Sequence, residues 1–187
     1  MVISTAVEAN PDGHSIEYTY MPPEAELLER LLKDLFENHW HELFFGPCIQ
    51  GAVFEYRASS QPRITMLDGY MTVHFGDWHC HLCLGPHHGP PSNPTPPDIA
   101  AWRRVSKAAF FRHLNRAQAP TTWGIRLWNG RDEQMITFFL PNPYYDERMR
   151  RQKPDWRKLE LWNDLRARYA DLPPDAPGPE TELDPHQ

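Results

Sequence analysis

Two tight-turn signals constrain the fold of this chain more than any other sequence feature. Asp68-Gly69 lies between the strand-like runs PRITML and YMTVHFG, and this dipeptide is well suited to a type I′ hairpin turn. A second signal, Asn129-Gly130, follows TWGIRLW and precedes EQMITFF. Strands joined by such short turns must be antiparallel. The sequence therefore predicts an antiparallel sheet, to which the strand-like runs contribute about five strands.

Three segments with apolar residues at helical spacing accompany these strands. They are PPEAELLERLLKDLFENHWHELF, with apolar positions from Leu27 to Phe36, a second helix over Asp98–Arg116, and PDWRKLELWNDLRARYADL near the C-terminus. Helices combined with an antiparallel sheet indicate an α+β fold with three helices packed mainly on one face of the sheet.

The composition favours one globular domain with poorly structured ends. The chain has 187 residues, of which 40% are hydrophobic, and we expect a single domain over 21–170. Residues 1–20 are expected to be loosely ordered, with a short strand at SIEYTY. Residues 171–187 are rich in Pro and acids and contain no Lys or Arg, which predicts a disordered tail. Deleting residues 173–187 should then leave the melting temperature nearly unchanged.

Charge and hydropathy exclude several classes of partner. Most of the net charge of −6 belongs to the acidic tail, so the remaining chain is nearly neutral and lacks the basic excess of a nucleic-acid-binding protein. No apolar run approaches the roughly 18 residues that a membrane helix needs. The N-terminus lacks the pattern of a secretory signal, so we expect a cytoplasmic protein with reduced thiols. The sequence does not specify an oligomeric state.

The segment GDWHCHLCLGPHHG, residues 76–89, carries the strongest functional signal. It holds four of the ten histidines and two of the three cysteines. If Tyr70–Leu84 is one strand, His79, His81 and Cys83 share a face, because successive side chains alternate. Residues two apart on a face are roughly 6.5–7 Å apart, which allows two imidazoles to lean onto one ion.

We therefore predict a His/Cys transition-metal site at the end of this strand. The predicted ligands are His79, His81, Cys83 and either His87 or His88, which return after a turn at Gly85-Pro86. Zinc is the first choice and iron the second, because mixed nitrogen and sulfur ligands suit these metals. Further candidates, as ligands or as groups that orient the ligands, are Cys80, His74, Asp77, His39 and His41. Asp68 is predicted to serve the hairpin turn alone.

Several alternatives remain open at this stage. If the chain instead turns before Trp78, Cys80 and Cys83 form a C-x-x-C pair, which could bind a metal or an iron–sulfur cluster. A redox role is disfavoured because no helix follows the pair. Aromatic residues near the second hairpin suit a planar ligand such as haem. The protein would then be a metal- or cofactor-binding protein, with a small-molecule ligand as a further candidate partner. Other possibilities are a metal-dependent enzyme that activates water or a small substrate, a metal-free protein-interaction domain, and histidines and cysteines that simply pack in a core.

Overall fold

The computed structural model of the chain describes residues 4–49 and 51–178. In chain order the strands are β1 (Thr5–Ala9), β2 (Ser15–Met21), β3 (Phe44–Gly46), β4 (Cys48–Ile49), β5 (Ala52–Val53), β6 (Arg63–Leu67), β7 (Tyr70–Phe75), β8 (Trp78–Cys83), β9 (Val105–Leu114), β10 (Pro120–Asn129) and β11 (Gln134–Phe139). The helices are α1 (Ala25–Asn38), α2 (Pro97–Arg103) and α3 (Glu160–Ala170), with short 3-10 turns at Trp40–Glu42 and Trp156–Leu159.

The strands of the described residues form three sheets. The largest has six strands in the order β1-β2-β9-β10-β11-β3, and the others are the three-stranded β6-β7-β8 and the two-stranded β4-β5. Short connections make β6, β7 and β8 successive antiparallel neighbours. The predicted α+β class, the antiparallel pairing and the three helices are confirmed. The predicted sheet of about five strands is corrected to a six-stranded sheet with two smaller ones.

Strand β9 occupies a segment for which the sequence predicts helix. The second helix is predicted over Asp98–Arg116, but α2 ends at Arg103 and the ten-residue β9 follows it. Residues 108–111, within β9, are completely buried. A run that is buried on both faces is typical of a central strand, and apolar periodicity alone does not distinguish it from a buried helix. The prediction of helix beyond Arg103 is therefore wrong.

Both ends of the described chain contain more structure than the sequence indicates. Within residues 1–20, for which loose order is predicted, all five residues of β1 pair with β2. Of the predicted disordered tail 171–187, residues 179–187 lie outside the described residues. Residues 171–178 are described, and within them the side chain of Asp175 is only 16% exposed.

The described residues divide into two compact units. The first comprises 4–21, 109–125 and 139–178, and the second comprises 22–49, 51–108 and 126–138. The prediction of a single domain over 21–170 stays a prediction.

Asp175 anchors the C-terminal segment in the first unit. Its carboxylate accepts hydrogen bonds from Trp162 Nε1 at 2.8 Å and Arg166 Nη1 at 2.5 Å. Arg112 Nη1 donates a third bond at 2.9 Å. Hydrogen bonds to a charged partly buried group are among the stronger side-chain contacts. Removal of this segment should therefore destabilise the unit, contrary to the expectation from the sequence.

Helix α1 forms the centre of the core in the second unit. The apolar positions that the sequence places on one face are all buried: Leu27, Leu28, Leu31, Leu32, Leu35 and Phe36. The Phe36 ring packs against Phe75 of β7 and Phe138 of β11, with centroid separations of 5.9 and 5.7 Å. Burial of one such side chain contributes about 1.5–3 kcal/mol. Phe75 thus packs one face of the β6-β7-β8 sheet against α1, and the opposite face carries polar side chains that include Thr72, His74 and His81.

Candidate functional site

The predicted strand Tyr70–Leu84 is a hairpin rather than a single strand. The chain reverses at Gly76-Asp77, where Gly76 has a φ of +65°, and Phe75 pairs with Trp78. A Gly-Asp dipeptide between apolar residues is itself a hairpin signal, so the sequence contained the information that corrects the prediction. Asp77 is the second central residue of this turn. The reversal changes which histidines share a face.

Three imidazoles lie together on the outer face of the three-stranded sheet. The register places His74 opposite His79 and Thr72 opposite His81, and directly opposed residues share a face. His79 and His81 share this face, as the alternation of a strand requires. His74 joins them, contrary to the expectation from a continuous strand, because the chain turns between His74 and His79. We call His74, His79 and His81 the imidazole face.

The rings of the imidazole face are close to one another. The ring centroids of His79 and His81 are 4.9 Å apart, and those of His74 and His79 are 6.0 Å apart. Thr72 Oγ1 lies 2.8 Å from His81 Nδ1, and Thr65 Oγ1 lies 3.4 Å from His74 Nε2. Partial desolvation, followed by the positive charge of neighbouring groups, lowers the pKa of His74. Its ring is therefore neutral at neutral pH, which is the form that binds metals.

The two cysteines of the segment are thiols removed partly (Cys80) or fully (Cys83) from solvent. Cys80 lies on the face opposite the imidazoles, and burial raises its pKa to about 11. Cys83 follows His81 on the imidazole side but is only 2% exposed, with its Sγ 3.7 Å from the carbonyl oxygen of Gly85. Burial also raises the pKa of Cys83. Both groups therefore remain protonated at neutral pH, unlike the thiolates that bind metals.

His87, a predicted ligand, has hydrogen-bonding partners at both ring nitrogens. Its Nδ1 lies 2.9 Å from Asp68 Oδ2, and its Nε2 lies 2.9 Å from Thr95 Oγ1. Arg103 Nη1 lies 3.4 Å from the same Nε2. The His87 side chain is 12% exposed, so these contacts hold it in one orientation. A metal at His87 would have to displace at least one of these partners.

Asp68 does more than form a hairpin turn. The predicted type I′ turn is confirmed, with φ of +46° at Asp68 and +78° at Gly69. The Asp68 carboxylate also accepts hydrogen bonds from the backbone N–H groups of His88 at 3.0 Å and Gly89 at 2.8 Å. These two bonds, with a smaller contribution from His87, lower the pKa of Asp68. The prediction that Asp68 serves the turn alone is therefore wrong, and His88 takes part through its backbone while its side chain is exposed.

Several residues around His87 were not found by sequence reasoning. The ring of Tyr70 meets the His87 ring edge-on, with centroids 4.8 Å apart. The Tyr70 hydroxyl also contacts Cys83 and Arg103, and burial raises its pKa. Thr95 lies in the proline-rich loop and Arg103 at the end of α2, where no motif marks them. Only the folded chain brings these residues to His87.

His39 and His41 lie just after α1 and have local partners. His39 Nδ1 is 3.1 Å from Glu42 Oε1. The backbone carbonyl of His41 accepts a hydrogen bond from Arg57 Nη2 at 3.0 Å. These contacts close the turn that follows the helix, which is an ordinary role for polar residues at a helix end.

Two general properties hold for the described part of the chain. Among residues 4–49 and 51–178, no group of three or more His, Cys, Asp or Glu side chains is placed so that it could hold a metal ion. No helix within these residues is long and apolar enough to cross a membrane.

The chain belongs to the family described as "Family of unknown function (DUF7676)", which matches residues 5–171. This range contains the imidazole face and the surroundings of His87. A search of the curated proteins found no match to this chain. The family supplies no activity, so function must be inferred from the side-chain geometry.

Proposed function

We propose that this protein binds a transition-metal ion through the imidazole face, with zinc as the first choice and iron as the second. The observation that carries the proposal is the position of His74, His79 and His81 on one face of adjacent strands, with ring centroids 4.9 and 6.0 Å apart. Neutral imidazole nitrogen is a common ligand of both metals.

The ring separations support binding to one ion. Two imidazoles on a tetrahedral zinc ion, with zinc–nitrogen bonds of about 2.0–2.1 Å, have their centroids roughly 5 Å apart. The His79–His81 separation of 4.9 Å agrees with this value. The His74–His79 separation of 6.0 Å is longer and requires a rotation of the side chains. Exposed side chains change rotamer within picoseconds to nanoseconds, so a metal ion would complete an arrangement that is not already formed.

Thr72 supports the proposal by orienting one of the ligands. Its hydroxyl lies 2.8 Å from His81 Nδ1, which leaves Nε2 as the nitrogen that points away from this contact. Histidine ligands usually bond through one nitrogen while the other is held by a neighbouring polar group, which fixes the ring orientation.

The proposed ligands differ from those predicted from the sequence. His79 and His81 are retained and His74 is added, whereas Cys83 is buried and His87 is bonded at both nitrogens. The exposed His88 side chain lies in the loop beyond β8. An iron–sulfur cluster requires cysteine thiolates, so we do not extend the proposal to one.

The exposed position of the face favours metal binding or transfer over metal-dependent catalysis. Three protein ligands leave one tetrahedral position open, as in catalytic zinc sites. Catalytic sites usually lie in clefts that enclose the substrate, whereas His79 and His81 are exposed on a sheet. We therefore propose a role in holding or transferring the metal.

A competitive zinc titration tests this proposal. Protein treated with EDTA and then freed of chelator is titrated with Zn²⁺ against a chromophoric zinc chelator. We expect one equivalent of zinc per chain and a loss of affinity of about tenfold or more in both His79→Ala and His81→Ala, because each removes a direct ligand.

His88→Ala and His41→Ala are matched controls, since both side chains are exposed and lie outside the imidazole face. They should bind zinc like the unmodified protein. Wild-type affinity in both His79→Ala and His81→Ala would refute the proposed site, and loss of binding in His88→Ala alone would move the site to the loop.

A further inference from the structure

A second group of polar residues, centred on His87, lies outside the imidazole face. Asp68, His87 and Thr95 form a continuous hydrogen-bonded series, with 2.9 Å between Asp68 Oδ2 and His87 Nδ1 and 2.9 Å between His87 Nε2 and Thr95 Oγ1. The residues are a carboxylate, an imidazole and a hydroxyl, in that order. In a catalytic triad the same contacts join a carboxylate that orients the imidazole, an imidazole that acts as the base and a hydroxyl that acts as the nucleophile.

The hydrogen bonds of Asp68 fix the tautomer of His87. The carboxylate accepts two backbone N–H groups, which stabilise its ionised form. An ionised carboxylate can only accept, so His87 Nδ1 must carry the proton that it donates to Asp68. In the neutral ring Nε2 is then an acceptor, and the Thr95 hydroxyl donates to it. This is the tautomer that a general base needs in order to take a proton from the hydroxyl.

Close backbone contacts hold the segments that carry these residues. A Cβ at Gly69 would lie 2.2 Å from the carbonyl oxygen of Pro86, so only glycine allows the hairpin turn and the following loop to approach this closely. The backbone N–H of Thr95 donates to the carbonyl oxygen of His88 at 2.7 Å and closes the loop that carries both His87 and Thr95. Catalytic groups require such fixed positions.

Arg103 adds a positive charge beside the same nitrogen. Its Nη1 lies 3.4 Å from His87 Nε2, and the residue is exposed. A guanidinium in this position would stabilise negative charge that develops on an oxygen during attack at a carbonyl.

We propose that Thr95, His87 and Asp68 form a nucleophilic centre that acts on activated carboxylic esters, with Arg103 stabilising the oxyanion. Thr95 Oγ forms a bond to the acyl carbon while its proton passes to His87 Nε2 and the carbonyl π electrons move onto the oxygen. The tetrahedral intermediate collapses, the bond to the leaving alkoxide breaks, and that oxygen takes the proton from His87. A water molecule, deprotonated by the same nitrogen, then attacks the acyl–Thr95 ester, releasing the carboxylic acid and restoring the Thr95 hydroxyl.

The test uses the full chain in EDTA, so that a metal on the imidazole face does not contribute. The probes are p-nitrophenyl acetate, followed by nitrophenolate release, and an alkyl fluorophosphonate, followed by intact mass and peptide mapping. We expect one phosphonyl adduct, on Thr95, and ester hydrolysis above the buffer rate. Thr95→Ser should retain both activities, whereas Thr95→Val, which keeps the shape and removes the hydroxyl, should abolish them.

Asp68→Asn is a matched variant, because Asn is accepted in the left-handed conformation of the turn while the carboxylate is lost. Its rate should fall on the order of 100-fold or more. The absence of an adduct on the wild-type protein, an adduct elsewhere than on Thr95, or unchanged hydrolysis by Thr95→Val would each overturn the proposal, and the first two do not depend on a variant that folds. Zinc binding without labelling would refute this centre alone, and labelling without zinc binding would refute the metal proposal alone.

Discussion

Replacing Asp175 with Ala should destabilise the first unit by about 3 kcal/mol. The carboxylate accepts hydrogen bonds from Trp162, Arg166 and Arg112, and its side chain is 16% exposed. Hydrogen bonds to charged groups contribute about 1.5–3 kcal/mol each but are not additive. Removing one partner of a buried ion pair costs about 3–5 kcal/mol. The partial exposure of this cluster places the expected cost at the lower end of that range.

Arg166 and Arg112 lose different amounts of charge compensation in the Asp175→Ala variant. Arg166 is 10% exposed and would be left as a nearly buried cation without its carboxylate. Arg112 keeps a second carboxylate, Glu17, whose Oε1 lies 2.5 Å from its Nη2. Most of the cost should therefore arise at Arg166.

Thermal and guanidinium unfolding, followed by circular dichroism, measure this effect. For a chain of this length, 1 kcal/mol corresponds to roughly 2–4 °C, so Asp175→Ala should lower the melting temperature by about 6–12 °C. Asp164→Ala is the matched control on α3, because Asp164 is 51% exposed and pairs with Arg168. Exposed i,i+4 pairs on a helix contribute about 0.3–0.5 kcal/mol. Equal shifts in the two variants would refute the assignment of Asp175 as the anchor of the C-terminal segment.

Two further predictions concern the β6-β7 turn. Gly69→Ala should lower the free energy of unfolding by about 2 kcal/mol or more in chemical denaturation, because Gly69 has a φ of +78° and a Cβ there would lie 2.2 Å from a backbone oxygen. Gly76→Ala is the control, since Gly76 has a φ of +65° but open space around it, and it should lose less stability. Equal losses in the two variants would contradict the role of the close approach at Gly69. Because the pKa of Asp68 is lowered in the folded state, its carboxylate contributes stability above its unfolded pKa of about 3.9, and this contribution is lost as the pH falls through the folded pKa. The stability difference between wild type and Asp68→Asn should therefore be present at pH 7 and shrink below about pH 4, and a difference that stays constant down to pH 2 would contradict this linkage.

Both proposed sites involve the β6-β7-β8 sheet and its loops, but they use different chemistry. The imidazole face depends on side chains that alternate outward from β7 and β8. The His87 centre depends on the loop that follows β8 and returns to the β6-β7 turn, where Leu84 N–H donates to Gly69 O at 2.9 Å. A variant of one site should therefore leave the other intact, which makes their tests independent.

The sequence by itself determined the features that depend on residues close along the chain. The apolar stripe of α1 is buried as its spacing predicts, and Asp68-Gly69 forms the expected type I′ turn. The placement of Cys80 opposite His79 and His81 also follows from alternation alone. Each of these features is set by backbone geometry over a few residues, so composition and spacing were sufficient to predict it.

Only the tertiary structure decided the features that join distant segments. The contact between Asp68 and His87 spans 19 residues, and that between Arg112 and Asp175 spans 63. The burial that makes 108–111 a central strand likewise depends on neighbours elsewhere in the chain. Such contacts depend on how the strands and loops fold together. The local sequence pattern of a segment does not reveal which distant segment will contact it. For this reason the sequence identified His87 as a functional candidate, whereas the fold determined that its partners are a carboxylate and a hydroxyl.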